Sequence, residues 1–244
     1  MIESSRPGPL APELPRPRPS RVVLEGHYVR LEPFSAARHA TGLFEAGSDP
    51  GADARFEYLP SLPPRDLAEV VRTLEAEAAC EDPLAFAVVE PGSGEALGRQ
   101  SLMRIVPEHG VIEIGFILWG PRMSRSRRST EAFHLAATHV FDTLGYRRFE
   151  WKCNARNAPP RAAAERFGFR FEGIFHQHMW LKGRNRDTAW FGMTDRDWAV
   201  LRPAYQRWLD PANFDDAGTQ RLVLRECIAD ASDRRGRPNP ILPG

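Results

Sequence analysis

Cysteine is scarce in this 244-residue chain, at three residues: Cys80, Cys153 and Cys227. An odd, widely spaced set gives neither a disulfide framework nor a metal-ligand spacing, and a reducing cytoplasm is the simplest expectation. Long apolar runs are also missing. No stretch approaches the ~18 residues of a membrane span, and MIESSRPGPLAPELPRPRPSR at the start lacks the apolar centre of a signal peptide. There is no excess of either charge, the net being +1, so no global field draws the protein to nucleic acid or to an anionic membrane. No internal repeat is visible, which excludes solenoids and propellers.

What is present suits one domain plus tails, or at most two small domains. Hydrophobic residues make up 42% and charged residues 27%, enough apolar material for a sizeable core. Residues 1–22 are rich in proline and arginine and read as a disordered tail. Residues 23–209 form the domain, and 210–244 a C-terminal extension, disordered in part. Within the extension, Gln220 to Ile228 is spaced for either a helix or a strand.

Element types alternate between the tails. Strands are expected at His27–Leu31, Leu84–Val89, Leu97–Val106, Val111–Trp119, Arg147–Cys153 and Phe169–Phe175. A closing hairpin of His178–Lys182 and Thr188–Thr194 is expected around GRNRD. Ser35 is placed to cap a first helix, Pro64 to open a second over Arg65–Cys80 with Leu67, Val70, Val71 and Leu74 on one face, and Asp197 to cap a last helix ending near Leu209. Thr130–Leu144 carries Ala132, Ala136, Val140 and Leu144 at every fourth position and ends at Gly145. Asn157–Phe167 is an alanine-rich helix. Antiparallel strands followed by strand–helix–strand–helix–strand predict an α+β (mixed α/β) domain around one sheet.

The chemistry points to strand VIEIGFILW, the polar loop after it and the helix that follows. A helix starting straight after a buried strand presents its first N–H groups, and its dipole, at the sheet edge, where both attract phosphate. Arg122, Arg125, Arg127 and Arg128 add charge there. A cofactor pyrophosphate fits, and so does a merely solvated loop. A nucleic-acid patch fits poorly, since the site is short and has no interleaved aromatics.

E-I-G-F at 113–116, then T-E-A at 130–132, then a helix closing on L-G-Y-R-R, then N-x7-E-R-F-G-F-x-x-E-G from Asn157 and G-R-N-R-D from Gly183, resemble the GCN5-related N-acetyltransferase (GNAT) superfamily. The branch with ribosomal-protein N-terminal acetyltransferases is the most similar, and the resemblance spans roughly Val23 to Trp198. It implies an acyl-CoA N-acyltransferase fold: a central, mostly antiparallel twisted sheet flanked by helices. It implies acetyl transfer from acetyl-CoA, as cosubstrate, to a primary amine on a protein N-terminus or a small molecule, by direct attack.

The loop Ser124, Arg125, Ser126, Arg127, Arg128, Ser129, leading to Thr130, would wrap the CoA pyrophosphate. Phe116, Ile117 and Leu118 would bond the pantetheine arm, and a backbone N–H there would polarise the thioester carbonyl. Asn157 would hold pantetheine or acceptor. Glu113 is the candidate base. The competing view of Glu113 is an edge glutamate paired with an arginine.

Two departures from the family pattern stand out. Its loop has a glycine where this chain has Arg127, and glycine there lets backbone approach phosphate or take positive φ. The positions that often carry the leaving-group acid, serine or tyrosine, hold Pro160 and Ala164, which have no proton to give. The same departures would suit a CoA-binding or protein-interaction domain of this fold with impaired catalysis. Transfer of a different acyl group is a third expectation.

Other residues carry weaker signals. His176 and His178 share a strand face but lack a third ligand, so no metal is expected; lining the acceptor pocket or packing are the other uses. Glu150, Trp151 and Trp180 could line an acceptor cleft, although strand aromatics are more often core. Cys153 reads as a small apolar residue, and Asp187 as the organiser of its hairpin. The acceptor is a small-molecule or peptide amine, with no nucleic acid and no membrane partner, and a homodimer is compatible with the sequence.

Overall fold

A computed structural model describes residues 13–233. The expected tails fall outside it at 1–12 and 234–244. Over 13–22 the chain touches the domain: the Arg16 N–H donates to the Pro107 carbonyl at 3.0 Å, and the Arg21 guanidinium to the carbonyls of Ala78 and Cys80.

Eight strands make one sheet in the order β1-β2-β3-β4-β5-β6-β8-β7. They are β1 Leu24–Glu25, β2 Arg30–Pro33, β3 Leu84–Val89, β4 Ala96–Val106, β5 Val111–Trp119, β6 Arg148–Asn154, β7 Arg170–Leu181 and β8 Arg184–Thr194. Every neighbouring pair is antiparallel except β5–β6. On one face α1 (Ala36–Ser48) and α3 (Leu67–Ala78) cover β3 and β4, packing Leu43, Val70 and Leu74 onto Ala85, Ala87 and Val89. On the other face α4 (Arg127–Thr138) and α6 (Asp195–Leu209) bury Phe133, Ala136, Trp198 and Tyr205 against Ile112, Ile114, Phe149 and Phe191. The short α2 (Ala52–Phe56) follows α1, and α5 (Ala158–Arg166) follows β6. This is the expected mixed α/β fold. Among the described residues no helix is long and apolar enough to cross a membrane.

Several boundaries differ from the sequence expectation for local reasons. The strand expected at His27–Leu31 begins only at Arg30. The N–H groups of His27, Tyr28 and Val29 donate to the Glu131 carboxylate on α4, at 2.9, 2.6 and 2.7 Å, so they do not enter a ladder. The second helix starts at Leu67, where the Asp66 carboxylate accepts the Glu69 N–H at 2.7 Å; Leu67 itself is exposed while Val70 and Leu74 are buried. The closing hairpin is one long pair, β7 with β8, turning at Lys182–Gly183 and carrying a register shift between Phe175 and Met179. Thr194, not Asp197, caps α6, with Asp197 completing a reciprocal capping box. Gln220–Ile228 resolves into an isolated bridge at Gln220 and a helix, α7 (Leu224–Asp233), whose Leu224, Cys227 and Ile228 are buried beside α6.

One half-buried residue packed on the core makes stability pH-dependent. His134 on α4 stacks on Tyr205 at 5.5 Å, and burial pushes its pKa from 6.5 down to about 4. The folded chain therefore binds fewer protons than the unfolded chain between those values. Stability is full above about pH 6.5 and falls as pH drops toward about 4, by up to about 3 kcal/mol from this group. His134→Phe should flatten that part of the acid limb in Tm measured against pH. A variant with the wild-type slope would reject the assignment.

Candidate active site

The site begins where the parallel pair separates. β5 and β6 register over four pairs, from Val111↔Arg148 to Ile114↔Trp151, and the ladder then stops although both strands continue. The other edge of β5 stays bonded to β4 as far as Gly98↔Trp119. Residues 115–119 thus have one strand neighbour, and their β6-facing backbone groups line a fork. Phe116 sits at the mouth with φ +47, at a register shift in the β4–β5 ladder. Phe116 is exposed, and Ile117 and Leu118 are half-buried beside it.

At the open end of the fork stands α4. It starts at Arg127, three residues before the expected Thr130, with Ser126 as an extended N-cap that makes no side-chain capping bond. Its first-turn donors are therefore the N–H groups from Arg127 onward. This also accounts for the missing glycine. Residue 127 is helical, and the positive φ of the loop (+54) falls on Arg125. Met123 anchors the loop in the core.

The arginines divide. The Arg127 guanidinium lies over the Tyr28 ring at 4.4 Å and the Phe214 ring at 5.2 Å. Arg128 bonds Glu90 at 2.6 Å, and Arg122 bonds Glu90 at 2.8 Å and Glu95 at 2.5 Å. Arg125 is exposed and without an ion-pair partner among the described residues. So of the expected phosphate contacts, Ser124, Arg125, Ser126 and the helix N–H groups are at the loop. The side chains of Arg127 and Arg128 are engaged elsewhere. Ser129 and Thr130 are buried, their hydroxyls turned back to the Ser126 carbonyl, because the earlier helix start carries them into its first turn. Asn157 is the N-cap of α5 and leaves its side chain uncommitted to the cap.

Glu113 lies just inside the fork. Ile112 and Ile114 join the core under α4, so strand alternation turns Glu113 to the opposite face. Its side chain is 5% exposed and its Oε2 takes two cations, Lys152 Nζ at 2.8 Å and Arg104 at 3.2 Å. Lys152, 4% exposed, also reaches Glu150 at 2.7 Å and lies 3.8 Å from the Trp190 ring centroid. Burial pushes the Glu113 carboxyl above the usual range, against the pull of Lys152 and Arg104. Glu150 goes the other way: burial raises it, but bonds from Lys152 and Arg148 more than compensate and hold it low. A lifted carboxyl beside a fork in the sheet is a candidate proton acceptor.

The expected pairing of Glu113 with an arginine is thus present, and the sequence missed its stronger partner. Alternation in E-W-K-C-N puts Glu150 and Lys152 on one face, but only the parallel register brings that face to Glu113. His176 and His178 diverge, His176 to Asp187 at 3.1 Å and His178 to Thr188 at 2.9 Å. Among the described residues no group of three or more His, Cys, Asp or Glu is placed to hold a metal. Burial raises the Cys153 thiol to about 11, which makes it inert as a nucleophile. Asp187 organises its hairpin, accepting from Gln177 N–H and the Asn185 amide at 2.8 Å each, and these bonds hold its pKa at about 2. Trp151 is core and Trp180 is exposed. The hairpin reaches α2 through Lys182, which donates to the Phe56 carbonyl at 2.8 Å.

Comparison with known proteins gives the family. Residues 29–170 match the family model described as an acetyltransferase (GNAT) domain. The structure is similar to a GCN5-related N-acetyltransferase from Brucella melitensis, with 54% identity, TM-score 0.86, and coverage of 89% of this chain and 98% of that one. It is also similar to a probable GNAT-family acetyltransferase from Chromobacterium violaceum, at 38% identity and TM-score 0.70, covering 79% and 99%. A protein described as uncharacterized N-acetyltransferase p20, from Bacillus licheniformis, is 25% identical over 139 residues, 55% of this chain and 74% of its own length. With more than half of its length matched by the family model, this chain belongs to the GCN5-related N-acetyltransferase family.

Proposed function

We propose that the chain transfers an acetyl group from acetyl-CoA to a primary amine on a small molecule or a peptide. The observation that carries this is the β5–β6 fork, open between the α4 N-terminus and a buried carboxylate with a raised pKa. Main-chain donors at 127–129, with Arg125, fit a diphosphate. The unpaired edge of 116–118 fits an amide-bearing arm. Acetyl-CoA supplies the acetyl group as a thioester, and the amine nitrogen bonds its carbonyl carbon as the C–S bond breaks. Glu113 takes the amine proton, directly or through a water. Pro160 and Ala164 cannot protonate the leaving thiolate. Water serves, because a thiol is only modestly basic.

Binding of acetyl-CoA is the test. At 100 times its Kd it should stabilise the fold by about 2.7 kcal/mol, or roughly 5–10 °C in Tm for a chain of this size. No shift at millimolar acetyl-CoA would overturn the proposal in favour of a domain that keeps the fold without the chemistry. A shift without thiol release across a panel of amines would leave a CoA-binding domain with impaired catalysis.

A further inference from the structure

The sheet face that carries Glu113 holds a cation without a partner. Its carboxylates are matched: Glu113 by Lys152 and Arg104, and Glu150 by Lys152 and Arg148. Arg186 is not. Strand alternation puts it on the face of Thr188 and Trp190, which register opposite Asn154 and Lys152. It lies within electrostatic range of Glu113, Arg104 and His178. Its guanidinium is half-buried, and burial lowers its pKa. No acceptor bonds it among the described residues, and its Nε is shielded from solvent without a partner. The Trp190 indole N–H is a second shielded donor without a partner.

A half-buried cation with no acceptor is unfavourable unless a ligand completes it. The guanidinium fork matches a carboxylate with two parallel hydrogen bonds. The charges acting on His178 at the same place are those of Arg104, Arg186 and Lys152, all positive, a poor setting for a polyamine.

We propose that Arg186 is a specificity-determining residue of the acceptor site, and that the acceptor is an amine bearing a carboxylate, such as an amino acid or a peptide with a free acid. The carboxylate takes the Arg186 fork while the amine faces Glu113. This deepens the proposed function and rests on its reading of the chain as an N-acetyltransferase.

The test is thiol release from acetyl-CoA with free amino acids and dipeptides, each against its own amide, and with spermidine. Wild type should favour the acids by at least about tenfold in kcat/KM, as one charge-assisted bidentate contact implies. Arg186→Gln should abolish that preference, leave the KM for acetyl-CoA unchanged and leave Tm equal or higher, since it removes an unpaired half-buried charge. Equal use of acids and amides, no turnover of any acid, preference for spermidine, a lowered Tm, or a KM effect confined to acetyl-CoA would each overturn it. A lost acid preference beside an intact Glu113 pH effect supports both assignments. A normal acid preference in wild type and in Glu113→Gln, with no change in pH profile, would sink the base alone.

Discussion

Glu113→Gln should lower kcat/KM toward a primary amine by about a hundred- to ten-thousandfold near neutral pH, the range for loss of a positioned general base. The loss should shrink at alkaline pH, where the amine is already deprotonated. Wild-type activity should fall as pH drops through the raised Glu113 pKa, and the variant should lack that limb. Gln keeps an acceptor for Lys152, whose second partner, Glu150, is untouched. The linkage sign guards against an effect from unfolding. A carboxyl whose folded pKa is raised contributes stability below its ordinary 4.5 that is lost as pH rises through the folded value. Removing that charge at neutral pH therefore gives no reason for a lower Tm. An unchanged pH–rate profile in a folded variant would eliminate Glu113 as the base.

Glu131→Ala should destabilise the domain strongly, by roughly 3–9 kcal/mol, the sum over three unpaired donors. Glu131 is buried on α4 and accepts three consecutive backbone N–H groups, from His27, Tyr28 and Val29. Without it those donors stay inside and unpaired, at about 1–3 kcal/mol each, against a total stability of about 5–15 kcal/mol. Gly26 belongs to the same device. A Cβ there would stand 2.5 Å from the Val29 carbonyl oxygen and 2.7 Å from Glu131 Oε2, so only glycine lets the loop close on the carboxylate. Urea unfolding measures the effect, and Glu131→Gln, with one acceptor oxygen kept, should fall between wild type and Ala. A loss below about 1 kcal/mol for Ala would show that the loop finds other acceptors.

The strongest periodic signals were legible from residues alone. Val111–Trp119 matches β5, Leu84–Val89 matches β3, and Gly145 ends its helical segment at φ +70 as expected of a residue past a helix end. Errors gathered where a distant side chain decides a local outcome. The backbone donors of 27–29 go to a carboxylate about a hundred positions later, and no window of sequence contains both. The place of Arg127 and Arg128 in the loop leaves open which of their groups, main chain or guanidinium, would meet a phosphate. Their guanidinium groups settle on Tyr28 and Phe214 and on Glu90, all far away along the chain.

The sequence by itself determined most of the strands and helices, much of the apolar face each turns to the core, as at Val70, Leu74, Ala132 and Ala136, and the family motifs on E-I-G-F, T-E-A and E-R-F-G-F, because these depend on periodicity and near neighbours. Tertiary structure alone decided which charges meet. It set Lys152 against Glu113, left Arg186 without a partner and moved the positive φ of the loop to Arg125. The physical reason is that strand register and helix starts bring together groups remote in the chain, and the energy of a buried charge depends on those neighbours rather than on its own residue type.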